Sequence, residues 1–441
     1  MSLISLYADF AERLVSPDLM KVLTRKGRDI FRDLCENTFT DVGCKGWMNP
    51  QPDERKMEKL REKAEEVRKN ADVFVLVGVG GSNQAARAVI KALQTRGDRP
   101  EILYAGNTLS SHYLSELLES LEGKSVYINV IAKNFDTLEP GSHFRVLRSF
   151  IERHWSKKEL SKRVILTGSR DTRLERIAEN LGCLFLEFPE DVGGRYSAFT
   201  PVGLFPMLVA GVDVDALLLG AQEQREALLA SGGGDAVRYA AFRNAAYSAG
   251  YDVEILSFFE PRLEYFAKWW IQLFAESEGK KGKGIFPSAG NYSEDLHSLG
   301  QYVQEGRRVL LETFLSVEEP GDSVSVPAGD MEDGFDYLTG KSFLEINRCA
   351  EKATVQAHMD GGVPCVQLKM EQINEKSLGA LFYFFMVSCA VSGKLLGINP
   401  FNQEGVEAYK RTMFQLLGKP GSEGPDGYKD AVESREDMPC R

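Results

Sequence analysis

Residues 53–70 read DERKMEKLREKAEEVRKN, with charges of both signs at helical spacings and few apolar positions, the pattern of a helix with a solvated outer face. The period then changes. Residues 73–77 are an unbroken apolar run, VFVLV, followed by a glycine turn (Gly78, Gly80, Gly81, Ser82) and an amphipathic stretch. This predicts a buried strand that turns into a helix. The unit recurs, with strands predicted at 101–104, 125–131, 163–167 and 183–187 and helices at 111–121, 138–153 and 172–181. Strands alternating with amphipathic helices predict an α/β fold whose parallel sheet is covered on both faces. The segment 189–203, PEDVGGRYSAFTPVG, breaks the rhythm and leads into a helical run through 248. A second α/β unit is expected from a strand at 251–259, continuing through RRVLLETFLSV, a helix at 342–358, a strand at 365–368 and helices at 375–395 and 403–417. The expected division is a helical segment 1–70, a first, smaller domain 71–200, a larger domain 201–417 and a tail 418–441. The tail, rich in Gly, Pro and charge, is expected to be mobile.

Length and composition narrow the class. At 441 residues the chain can bury two cores of ordinary size, and 43% hydrophobic with 27% charged residues is the balance of a globular protein. No apolar run reaches the roughly 18 residues of a membrane helix, and Asp9 and Glu12 stand where a signal peptide would be apolar; a cytoplasmic location is expected. Seven cysteines are scattered without a C-x-x-C pair, so neither a zinc site nor a disulfide framework is expected. A net charge of −11 argues against sequence-independent nucleic-acid binding. An anionic ligand must therefore meet a local cluster of donors.

Several stretches could supply one. The VGVGGS turn lacks the third glycine of a dinucleotide fingerprint, where Asn83 stands, and lacks the Gly-Lys-Ser/Thr of a P-loop; what remains is a helix N-terminus able to receive an anion or a sugar hydroxyl. After the strand 125–131 comes AKNFDTLEP, with Lys133, Asn134 and Thr137 as donors at the carboxyl end of a strand. The competing reading is a capping box with Asp136 as N-cap and Glu139 three residues on, which would fill the anion position with the chain's own charge. Arg195, in GGR, could hold a developing oxyanion or make an ordinary interdomain ion pair. In 272–304, Gln272 and Glu276 share a helix face, Glu278 is a second carboxylate, and His297 follows. A glutamate in a dry cleft can be a general base, and a histidine can shuttle a proton near neutral pH. HMDGGVP, 358–364, reads as a structural turn at a helix end.

Five separated motifs in one order resemble the phosphoglucose (glucose-6-phosphate) isomerase family in its shorter bacterial form. They are GVGGS, VGGRYSAFTPVGL, AESEGKKGKGIFP, DLHSLGQYVQEG and NPFNQEGVEAYK, within roughly 73–417. The resemblance implies two SIS-type domains, each a doubly wound, mostly parallel sheet in an α-β-α sandwich. It also implies a homodimer in which a histidine from one subunit completes the other's site, and no metal or cofactor. The implied activity is aldose-ketose isomerisation of glucose 6-phosphate and fructose 6-phosphate through a cis-enediol, in glycolysis and gluconeogenesis. Glu276 matches the proton-transfer base, His297 with Lys410 the ring-opening pair, and Arg195 the enediolate stabiliser. Gly81, Ser82, Lys133, Asn134, Thr137, Glu139, Gln272 and Gln403 are the implied substrate contacts.

The phosphate loop departs from the family. Where Ser-Lys-(Ser/Thr)-x-Thr-Thr is usual, this chain has Ala132, Lys133, Asn134, Phe135, Asp136 and Thr137. Two hydroxyls are replaced and a carboxylate is added; losing two hydrogen bonds to a dianion without compensation would cost about 3–6 kcal/mol. Two alternatives therefore stand beside the isomerase reading: a sugar-phosphate sensor or scaffold on the same fold, and an isomerase whose sugar carries another distal group.

Overall fold

The computed structural model describes residues 3–36, 45–94, 100–319, 321, 324–329 and 332–421. Residues up to Phe401 form one compact unit; those from Asn402 form a second, described by itself. Ten strands fall into two sheets. β1 (Ser5–Tyr7) belongs with four late strands, while β2 (Val73–Val77), β3 (Glu101–Ala105), β4 (Val126–Ile131), β5 (Val164–Gly168) and β6 (Leu184–Glu187) make the first sheet. Its order is β3-β2-β4-β5-β6, parallel throughout. β2, β4 and β5 are buried along their whole length, which is why they read as continuous Val/Ile/Leu runs rather than alternating patterns.

The second sheet repeats the winding. β7 (Val253–Phe258), β8 (Phe286–Asn291), β9 (Leu310–Val317) and β10 (Cys365–Met370) pair in parallel in the order β8-β7-β9-β10. In each sheet the founding strand is followed by a neighbour on one side and then by one on the other. Each sheet thus has a crevice at its strands' carboxyl ends where the connections diverge: between β2 and β4, and between β7 and β9.

Two strands depart from the expected elements. β1 lies in the segment expected to be helical and pairs antiparallel with β10, Leu6 opposite Leu368, covering an edge that would otherwise stay open. β8 reads FPSAGN, which carries no strand signature; it is an edge strand, where Pro287 can be accommodated. The expected mobile tail lies, from residue 422 on, outside the described residues, as do residues 37–44 of the expected helical segment.

The largest core surrounds the helix Glu375–Leu395. By length and composition this helix could cross a membrane, but 89% of its apolar window is buried inside the protein. It crosses the helix Val214–Ala230 at glycines. A Cβ on Gly220 would stand 1.8 Å from Lys376 O, and one on Gly379 1.9 Å from Leu217 O, so only glycine permits this approach.

The second sheet also buries charge. On one face Arg243, wholly buried, is paired with Glu254 and, at 2.7 Å, with Glu278; Tyr239 and Thr313 donate to Glu254 at 2.5 and 2.6 Å. On the other face Glu312 accepts from Ser257 at 2.8 Å and Tyr292 at 2.6 Å, and meets His358 Nδ1 at 2.5 Å. Removing one partner of such a pair strands its counter-charge in the interior. Arg243→Met is therefore expected to lower stability by about 3–5 kcal/mol, read as a fall in the urea midpoint at pH 7; a loss under about 1 kcal/mol would mean that the two glutamates do not depend on it.

Candidate active site

The site begins at the crevice of the first sheet. β2 ends in a tight turn: Gly80 has φ +56° and Gly80–Ser82 form a single 3-10 turn before the helix Gln84–Leu93. Asn83, buried, donates to Gly78 O at 2.7 Å and fixes the turn from inside. The turn lies directly on the backbone of a second one. A Cβ on Gly81 would fall 2.2 Å from the carbonyl carbon of Gly194, so the GGS and GGR segments interlock through bare backbone.

That contact places Arg195, which is only 1% exposed. Its Nε donates to Ser277 Oγ at 2.8 Å, its Nη2 to Pro400 O at 2.6 Å and its Nη1 to Glu276 Oε2 at 3.2 Å. Trp269 Nε1 donates to the Arg195 carbonyl at 3.1 Å. Gln272 Nε2 donates to Glu276 Oε1 at 3.1 Å, and the same amide nitrogen lies 2.9 Å from where a Gly80 Cβ would be. Trp269, Gln272 and Glu276 thus use one face of the helix Glu264–Glu278, at spacings of three and four residues. Both Glu276 oxygens have donors, yet the side chain keeps 28% of its surface open.

Glu278 has a different position. It is buried, paired to Arg243 at 2.7 Å, and burial raises its pKa. The two carboxylates of the helix end are therefore separated, Glu276 toward the crevice and Glu278 into the core. Arg195 and Glu276 were legible as candidates, but Ser277, Trp269 and Pro400 were not. They act on a residue more than seventy positions away in the chain, and no local pattern marks them.

The second rim of the crevice follows β4. Phe135 has φ +50° and packs edge-on against Phe144, with ring centroids 6.0 Å apart. The helix Leu138–His154 starts with Thr137 as N-cap and no side-chain cap. This corrects the capping-box reading. Asp136 is not the N-cap; the left-handed Phe135 turns the chain one residue later than the box requires, and Asp136 is exposed, 3.9 Å from Arg173. The amide groups of the first helical turn are left for a ligand or solvent. Asn134 is exposed, Thr137 and Glu139 half-buried. The Lys133 side chain reaches the 190–192 loop, its Nζ donating to Glu190 O and Val192 O at 3.0 Å each. His143, on the same helix, accepts from Gly106 N at 3.0 Å through Nδ1, and burial lowers its pKa.

Among the described residues no group of three or more His, Cys, Asp or Glu side chains is placed to hold a metal ion. The family model described as phosphoglucose isomerase matches residues 56–313. The chain is also 45% identical over 400 residues to a glucose-6-phosphate isomerase of Staphylococcus saprophyticus, covering 88% of this chain and 90% of that one. The chain belongs to the phosphoglucose isomerase family. Among solved structures, a hypothetical protein from Thermus thermophilus superposes with a TM-score of 0.86 at 25% identity, over 94% of this chain and 99% of that one. A glucose-6-phosphate isomerase from Chlamydia trachomatis superposes with a TM-score of 0.82 over 98% and 91%; at 17% identity that likeness speaks for the fold.

The remaining residues implied by the phosphoglucose isomerase motifs are divided between the two units. His297 is exposed, at the end of the 3-10 turn Glu294–His297 after β8, and its side chain makes no hydrogen bond or ion pair among the described residues. Gln403 and Lys410 belong to the second unit, where Lys410 pairs with Glu407 at 2.8 Å. Within residues 3–401 the structure brings together Gly81, Ser82, Arg195, Gln272 and Glu276, with the 133–139 segment on the neighbouring strand end.

Two expectations test this geometry. Gly81→Ala must force the GGS and GGR turns apart, at about 1–3 kcal/mol of stability and at least about 100-fold in turnover if Arg195 moves by an ångström; assay and melting temperature together check it. The second concerns pH. Because the His143 pKa lies below its ordinary 6.5 in the folded protein, the unfolded chain binds more protons between the two values. Stability should therefore fall as pH drops from 6.5 through the folded value. Denaturant midpoints of wild type and His143→Gln, followed from neutral to mildly acidic pH, should show the variant losing less.

Proposed function

We propose that this chain interconverts glucose 6-phosphate and fructose 6-phosphate by moving one proton between C1 and C2 through a cis-enediol. The observation that carries the reading is the buried Arg195, held by Ser277 and Pro400 and set against the partly open Glu276. Abstraction of a proton beside a carbonyl needs a base and a fixed positive charge where the oxyanion develops. Glu276 is the base. Its carboxylate is oriented by Gln272 on one oxygen and Arg195 on the other, so a substrate that slides between arginine and glutamate meets both at once. Such pre-positioning supplies much of the rate without further reorganisation.

The distal phosphate is assigned to the crevice between β2 and β4, with Ser82, Asn134, Thr137 and the amides that open the helix Leu138–His154 as its donors. Ring opening is assigned to His297 with Lys410, and a further substrate contact to Gln403. The exposure of His297 suits a homodimer in which it serves the partner subunit's site. Residues 71–200 and 201–417 are proposed as the two SIS-type domains, and the cytoplasm as the location. The reaction needs neither metal nor cofactor in this scheme.

A second reading is favoured by one feature of the loop. The Lys133 ammonium is engaged with two carbonyls and Asp136 adds negative charge beside the crevice, which would suit a sugar whose distal group is not a dianion. Purified protein assayed with fructose 6-phosphate and with fructose separates the readings. Conversion of the phosphate ester alone is expected; preference for the free sugar would support the second reading, and turnover of neither would point to a sensor. In the same experiment Glu276→Gln should lower proton exchange at C2 in deuterated water by roughly 100- to 10,000-fold with sugar-phosphate binding near normal. Retained exchange would remove Glu276 as the base.

A further inference from the structure

Lys133 begins the anion segment yet its side chain crosses to another loop. Its main chain leaves the end of β4, with Ser169 N, just past β5, donating to its carbonyl at 3.2 Å. Its Nζ reaches Glu190 O and Val192 O, both at 3.0 Å, above the Phe188 ring at 5.4 Å. An ammonium has three N–H groups, so one is left over for a ligand. Val192 is followed by Gly193 and Gly194, which have no side chains to fasten the segment, and then by Arg195. From the N-terminal side Gly46 N holds Asp191 O at 3.0 Å. Pro189, Asp191 and Val192 also border a cavity of about 450 Å³ walled by Leu60, Leu186 and Phe199, while Val192 is buried in the core.

We infer that Lys133 is a positioning residue that couples the anion segment to Arg195. A phosphate seated at the crevice takes the third N–H and the loop amides, fixes the lysine, and through the 190 and 192 carbonyls sets the GGR turn in the place where its guanidinium meets the enediolate. Binding energy from the remote end of the substrate is thereby spent at the reacting carbon. This rests on the isomerase reading above, and predicts a loss in turnover rather than in affinity.

The test combines kinetics of Lys133→Met on fructose 6-phosphate with amide hydrogen exchange at Tyr196 and Ser197, whose N–H groups bond Gly193 O and Gly194 O. The methionine variant should lose about 100-fold in kcat with KM within about fivefold of wild type, and both amides should exchange about tenfold faster. Lys133→Arg, which keeps donors, should recover part of the turnover. A KM raised about 100-fold with kcat intact would make Lys133 a plain phosphate ligand and overturn the coupling, as would no change in either constant or unchanged exchange. Should Lys133→Met not fold, the wild type decides: saturating inorganic phosphate should slow exchange of the two amides about threefold or more, and no change overturns the proposal. Exchange needs no turnover, so a protein inactive on fructose 6-phosphate would refute the isomerase reading and leave the coupling tested on its own.

Discussion

A guanidinium that cannot be deprotonated and is almost wholly buried has to be answered by acceptors, and the site is built from the answers Arg195 receives. They come from Ser277 and Glu276 on one helix and from the Pro400 carbonyl just past another. Two segments distant in sequence are thus drawn to one cation, and any displacement of one would leave charge or dipole unpaired in a medium that penalises it. The GGR turn gains its precision from this requirement as much as from its own backbone. Its contact with Gly81, where a Cβ would run into the Gly194 backbone, then transmits the placement to the end of β2.

Arg243 applies the same constraint one layer deeper. By engaging Glu254 on β7 and Glu278 at the end of the Glu264–Glu278 helix, it ties the helix terminus to the sheet two residues beyond Glu276. One glutamate is held in the core by one arginine, and the other is held at the crevice by a second. Had both shared a single cation, mutual repulsion would have pushed one toward protonation. Separation onto two arginines leaves one carboxylate partly open at the crevice and the other wholly enclosed in the core.

How much of this could be read from the chain follows from which forces are local. β2, β4 and β5 were legible because a doubly covered parallel strand is apolar at nearly every position, and the site of the glycine turn after β2 followed from it. β8 was not, because an edge strand flanked on one side only tolerates Pro287 and Gly290, and β1 was hidden by its three-residue length. The helix Leu138–His154 starts where it was expected, but its N-cap is Thr137 and not the Asp136 of the capping-box reading. The pattern Asp-x-x-Glu fits a cap, but the positive φ of Phe135, held by its packing on Phe144, is a tertiary fact. Arg195 and Glu276 were found through motifs. Their neighbours Ser277 and Pro400 have meaning only once residues 82 and 205 positions apart are brought together.

The two sheets share a winding, yet they end their founding strands in opposite ways. After β2 come Gly78, Gly80 and Gly81, which let the backbone turn sharply and put no side chain on the turn. After β7, in the equivalent place, come Phe259, Glu260 and Pro261. There Phe259 is buried, its carbonyl accepts from Asn347 at 3.1 Å, and the Glu260 carboxylate already accepts from Arg262 N at 3.3 Å. The second crevice is filled by the protein's own groups. Its contribution comes from the far end of the helix that starts there: fifteen residues carry the chain about 22 Å from β7's carboxyl end, and Glu276 is delivered to the first sheet's turn. The difference between the sheets thus follows from the few residues after each founding strand, mostly glycine in one and bulky or charged in the other.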